Sequence, residues 1–97
     1  AMADIPILPM AEVRTSFYLR LRVDDRPGVL ADLARILSQA KISVGSMFQQ
    51  PHGEHQADII FLTHEAREGD VQQALQVIHD LPFVHSGVTR LRVENLN

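Results

Sequence analysis

Apolar and polar residues alternate from Phe17 to Val23. Phe17, Leu19, Leu21 and Val23 share one face; Tyr18, Arg20 and Arg22 share the other. A period of two predicts a half-buried strand. From Pro27 to about Ala40 the period lengthens. Val29, Leu30, Leu33, Ala34, Ile36 and Leu37 recur at helical spacing, with Asp32, Arg35 and Gln39 outward. That pattern predicts an amphipathic helix. Alternation returns from Ile42 to Gln50, with Ile42, Val44, Ser46 and Phe48 set against Ser43, Gly45, Met47 and Gln49. Pro51-His52-Gly53-Glu54-His55 is turn chemistry. Ala57 to Thr63 is apolar on both faces, with Ala57, Ile59 and Phe61 on one and Ile60 and Leu62 on the other. The stripe Val71, Ala74, Leu75, Ile78 and Leu81 predicts a second helix over about Arg67 to Leu81, ended by Pro82. A last strand is expected from Val88 to Val93, with Thr89, Leu91 and Val93 inward and Arg90 and Arg92 outward.

The order β-α-β-β-α-β predicts an α+β, ferredoxin-like fold: a four-stranded antiparallel sheet with two helices on one face. The other face is then bare, and Tyr18, Met47, Ile60 and Leu62 are expected on it. Single surface hydrophobes are normal, but four on neighbouring strands make a patch, and a patch marks a partner. The expectation is a homo-oligomer with these residues at its interface. Residues 1–15 read as a linker and 16–97 as the domain. Pro6 and Pro9 forbid a regular helix in the lead, and Ile5, Ile7, Leu8 and Met10 lack helical spacing. These apolar residues are expected to rest on a neighbouring domain or subunit. Ala1-Met2-Ala3 reads as a cloning remnant, and the short apolar lead suggests a piece cut from a longer chain.

Composition narrows the classes. Ninety-seven residues suit one small domain with a single core. A net charge of −3, with both signs dispersed, argues against a nucleic-acid or anionic-membrane partner. There is no cysteine, hence no disulfide, thiolate metal site or cysteine nucleophile. No apolar run approaches the ~18 residues of a membrane span, and no secretory signal opens the chain. A cytoplasmic location is the expectation. The third strand carries no basic residue, which excludes an RNA-binding sheet. His52 and His55 are only two candidate ligands in a polar hairpin, so no metal site is expected. His64, His79 and His85 are far apart, and His64-Glu65 reads as a strand-to-helix connection. No nucleophile–base pair and no glycine-rich phosphate loop is present, so no catalytic residue is named and the chain by itself is not expected to be an enzyme.

What remains is the corner Asp24-Asp25-Arg26-Pro27-Gly28-Val29-Leu30. Pro27 suits a first helical position, Arg26 belongs to the turn, and Gly28 admits a close approach. The N–H groups of Gly28, Val29 and Leu30 should point out of the helix start, where a carboxylate or phosphate is attracted. Asp24 and Asp25 would repel a purely anionic ligand. A ligand with both a carboxylate and an ammonium, such as a free amino acid, suits the place better. The alternative is purely structural: two aspartates that complement the helix dipole.

The run Leu19-Arg20-Leu21-Arg22-Val23-Asp24-Asp25-Arg26-Pro27-Gly28-Val29-Leu30 resembles the opening of an ACT domain, the regulatory amino-acid-binding module of biosynthetic enzymes. Ile42-Ser43-Val44 looks like the family's second strand. Thr63-His64-Glu65-Ala66, Leu91-Arg92-Val93-Glu94 and the lead Ile7-Leu8-Pro9-Met10 are similar to the C-terminal part of bacterial homoserine dehydrogenases. The resemblance covers nearly the whole chain. It implies a parent enzyme that reduces aspartate semialdehyde to homoserine with NAD(P)H, with dinucleotide and catalytic residues outside this chain. It implies an end-product ligand, foremost threonine, and the catalytic domain of the same chain as a partner. The site it implies is Asp24, Asp25, Arg26, Gly28, Val29 and Leu30, with Ser43 and Val44 opposite, supplied by a paired domain. The family often has asparagine where Ser43 stands, and a hydroxyl makes fewer contacts than an amide. Two other readings stay open: an ACT domain of another amino-acid enzyme, and a dimerisation module without ligand.

Overall fold

The computed structural model describes residues 9–93. A turn of 3-10 helix, Met10–Glu12, leads into β1 (Arg14–Asp24). Then follow α1 (Val29–Gln39), β2 (Val44–His52), β3 (Gln56–Thr63), β4 (Ala66–Arg67), α2 (Glu68–His79) and β5 (Val84–Val93). All pairings are antiparallel: β2 with β3, β3 with β1, and β1 with β5. This is the expected βαββαβ, ferredoxin-like sheet. The addition is β4, two residues that resume pairing with β1 (Arg14 with Arg67, Thr15 with Ala66) after the bend at His64-Glu65.

The alternation in β1 has the predicted consequence. Phe17, Leu19, Leu21 and Val23 are at most 1% exposed and pack with Ile59 and Phe61 of β3 beneath Leu33, Leu37, Val71 and Ile78 of the helices. The end of α1 sets where β2 begins. Lys41 takes a left-handed φ of 65°, Lys41 N–H donates to Ser38 O at 3.0 Å, and Ile42 N–H to Leu37 O at 2.9 Å. This double closure stops the helix and drops Ile42 into the core.

Two strands differ from expectation. In β2 the register slips between Val44 and Ser46, so Met47 lies opposite Phe61 on the helix side, and Phe48 lies opposite Ile60 on the open face. One extra residue flips every side chain beyond it, and Gly45 is that residue. A Cβ there would sit 3.3 Å from the His64 ring and 3.4 Å from Leu62 O, so glycine admits the tight approach. Met47 is therefore corrected off the open face, and Phe48 takes its place.

β5 starts at Val84, earlier than expected, and its faces are reversed. Arg90 lies opposite Leu19 and Arg92 opposite Phe17, on the helix side; Thr89 and Leu91 lie opposite Arg20 and Tyr18 on the open face. The physical reason is Glu68 in the first turn of α2. It is 1% exposed and takes Arg90 at 3.1 Å and Arg92 at 2.9 Å. A buried carboxylate needs such partners more than Leu91 and Val93 need burial. Those two remain 56% and 43% exposed. The open face therefore carries Tyr18, Phe48, Ile60, Leu62, Leu91 and Val93.

Candidate functional site

β1 ends at Asp24 and α1 begins at Val29, so the corner spans four exposed residues, Asp25 to Gly28. Gly28 is the helix N-cap and has a φ of 91°, which favours glycine. A left-handed residue interrupts the helix, so Pro27 lies in the turn and not at the first helical position as expected. No side chain caps α1. Gly28 O accepts Asp32 N–H at 3.0 Å, while Val29 N–H reaches back towards Arg26 O at 3.5 Å. The N–H groups of Leu30 and Ala31 belong to the first turn, where no helical carbonyl precedes them. Of the expected donors Gly28, Val29 and Leu30, Val29 N–H is thus drawn back towards Arg26 O, and Ala31 follows Leu30 in the first turn.

Neighbouring strands hold the corner. Asp24 N–H donates to Phe83 O and Asp25 N–H to His55 O, both at 2.9 Å. The Asp24 carboxylate hydrogen-bonds His85 Nε2 and has Arg26 Nε at 3.8 Å. The Arg26 guanidinium stands 5.8 Å from the centre of the buried Phe83 ring. Asp24 is therefore engaged, whereas Asp25 is exposed and forms no ion pair among the described residues. The two aspartates, neighbours in the sequence, have different surroundings.

Ser43 and Val44 do not meet the corner within one chain. Asp24 lies opposite Gln56, which lies opposite His52, whereas Val44 lies opposite Thr63 at the other end of the sheet. Eight residues of strand separate Val44 from His52, roughly 26 Å. Ser43 O accepts His64 N–H at 2.9 Å, which fixes the start of β2.

Other polar groups on the sheet are mutually satisfied. Asp58 accepts from Arg22 Nε at 3.0 Å and Arg20 at 3.3 Å, and the Arg22 bond leads in holding its carboxyl below the usual range. His52 Nδ1 is 3.9 Å from the same carboxylate. Among the described residues no group of three or more His, Asp or Glu side chains is placed to hold a metal. No helix among them is long and apolar enough to cross a membrane. A cleft of about 880 Å³ lies between α2 and β5 around Leu75, Val88 and Arg90, and none of the predicted site residues lines it. Sequence reasoning missed His55, Phe83 and His85. Only pairing partners that are distant in the chain bring them to the corner.

The strand–corner–helix geometry and the sheet around it have a family counterpart. Residues 17–83 match the ACT domain model, and the chain belongs to the ACT domain family. It is 48% identical over 98 residues to a homoserine dehydrogenase of Methylobacillus glycogenes, a match covering 99% of this chain and 24% of that protein. The solved structure of a homoserine dehydrogenase from Thiobacillus denitrificans shares 49% identity at a TM-score of 0.87, over 97% of this chain and 21% of that one. The ACT domain of a GTP pyrophosphokinase from Chlorobium tepidum, at 10% identity and a TM-score of 0.66, shares the fold over 81% of this chain and 100% of its own length. The chain thus spans about a quarter of the homoserine dehydrogenases it matches.

Proposed function

We propose that this chain is the amino-acid-sensing regulatory domain of a homoserine dehydrogenase and that threonine is its ligand. The observation that carries the proposal is the open start of α1, with N–H donors in its first turn and the unengaged Asp25 beside it. The donors suit a carboxylate and Asp25 suits an ammonium, at one place. The parent enzyme would interconvert aspartate semialdehyde and homoserine with NAD(P)H. This chain has no glycine-rich phosphate loop, so the cofactor and the catalytic residues belong to the rest of that enzyme.

A complete site needs two copies. β2 is an edge strand whose residues are all exposed. Such an edge is a template for pairing with another chain. Antiparallel pairing of β2 with the β2 of a second copy would carry Val44 of one copy towards the His52 end of the other. That is the end where the corner lies. Met47, on the helix side of this edge, would border the seam. Tyr18, Phe48, Ile60 and Leu62 on the open face would then join into one broader apolar surface for further assembly. Ser43 would face the ligand across the pair.

Calorimetric titration of the chain with L-threonine and the other protein amino acids tests the proposal. Saturable threonine binding is expected. Binding of a different amino acid alone would reassign the sensor to another biosynthetic enzyme. Absence of any binding, with a dimer in sedimentation, would leave an assembly module.

A further inference from the structure

β5 does not pair evenly with β1. Arg20 lies opposite Thr89 but Arg22 opposite His85, so β5 carries two residues more than β1 over this interval. Bulges of this kind re-aim side chains beside sites. With the even register continued from Thr89, His85 would lie opposite Asp24. The bulge slides β5 along, so that Phe83 meets Asp24 through its carbonyl and His85 stands on the diagonal, on the same open face as the Asp24 side chain. Diagonal neighbours are within reach of a long side chain. The imidazole Nε2 then closes on the Asp24 carboxylate, and Phe83 lies beneath Arg26. Phe83, just ahead of β5, and His85 within it thus hold Arg26 and Asp24.

We infer that His85 is a positioning residue for the amino-acid site: through Asp24 it fixes the β1–α1 corner in the shape that presents Asp25 and the first-turn N–H groups of α1. It touches no ligand in this arrangement. The inference rests on the sensor reading above and deepens it. Arg22, directly opposite on β1, and Arg26 in the turn are the charged neighbours of the pair. Arg22 is occupied by Asp58, and Arg26 approaches the same Asp24 carboxylate from the turn.

The test measures backbone amide exchange by NMR and L-threonine affinity on the 97-residue chain. It compares the unmodified chain with His85→Ala, His85→Gln and Asp24→Asn. The glutamine amide can still donate to Asp24. Expected are faster exchange at Asp25 to Ala31 in His85→Ala, unchanged exchange at Leu19 and Ile59 in the core, and threonine affinity lower by about threefold to tenfold. His85→Gln should restore most of both. Asp24→Asn combined with His85→Ala should cost little more than either alone. If no chain binds threonine, yet the corner loosens in His85→Ala and recovers in His85→Gln, the bracing stands and the sensor reading falls. Unchanged corner exchange in His85→Ala, or loosening spread equally over the core, would overturn the inference.

Discussion

Both helices begin without a side-chain cap, yet the chain treats the two starts differently. At α2 the protein fills the place itself. Glu68 N–H donates to Val13 O at 2.8 Å, and Arg67 ties Ala11 O, Glu12 and Asp70 together. Glu68 and Gly69 are buried, and the carboxylate is turned onto Arg90 and Arg92. At α1 the neighbours hold the chain ahead of the helix, through the backbone of Asp24 and Asp25 and the Asp24 carboxylate, and residues 25–28 stay exposed. A helix start attracts negative charge in either case. It serves a ligand only where the chain's own backbone and side chains have not already taken the position.

The largest effect is expected at Glu68. Glu68→Ala leaves two arginines without their shared carboxylate. A fully buried pair broken in this way costs about 3–5 kcal/mol, and because both arginines reach solvent the expected loss is about 3 kcal/mol in urea unfolding. Threonine affinity should hold under conditions where the variant is folded. An equal loss of affinity would mean that the two starts are not independent.

Asp25→Ala is the converse change. It should weaken threonine binding by about 1.5–3 kcal/mol, roughly ten- to a hundredfold in calorimetry, with the unfolding midpoint unmoved. Gly28→Val forces a branched side chain into a φ of 91°. Strain of about 1–2 kcal/mol should appear in stability, together with lost affinity. An Asp25→Ala chain that bound threonine normally would return Asp25 to the dipole-complementing role.

Gly69→Ala probes how tightly the α2 start is filled. A Cβ there would lie 3.2 Å from Ala11 O and 3.1 Å from the Arg67 guanidinium. Alanine improves helix propensity by about 1 kcal/mol, and the exposed lead must shift by a few tenths of an ångström to accept it. The expected outcome is near-neutral stability with faster proteolysis between residues 10 and 13. Unchanged cleavage would show that the lead is not held by this contact.

The smallest effect is expected on the open face. The Asp58 carboxyl is held below its ordinary 3.8, chiefly by Arg22. A depressed folded-state value contributes stability that is present above the unfolded value and lost as pH falls through the folded one. Below about pH 4 the unmodified chain should therefore lose more stability than Asp58→Asn, with corner amide exchange alike in both. Parallel pH curves would remove the linkage.

The alternation Phe17–Val23 and the helical stripe around Leu33 and Leu37 were enough to place the core of β1 and α1. In those segments burial on one side decides every position. The run Asp24 to Leu30 likewise marked the corner, because proline, glycine and paired aspartates have few uses between a strand and a helix. Prediction failed where one residue of register mattered. Gly45 flips Met47 and Phe48, and nothing local announces the flip because the His64 ring that crowds Gly45 comes from the bend after β3. Arg90 and Arg92 look like solvent-facing residues in an alternating strand. They face the helices because Glu68, which is distant in sequence, needs them.

The sequence alone determined the order of elements, the apolar face of β1 and the chemistry available at the β1–α1 corner. Each of these depends on neighbours a few residues apart, through backbone geometry and hydrophobic period. Only the tertiary structure decided which aspartate is engaged and which is open. It also showed that Ser43 and Val44 lie a sheet's length from the corner, and that the start of α2 is already filled. Those outcomes depend on strand register and on buried charges finding partners, and the chain settles them only when distant segments pack together.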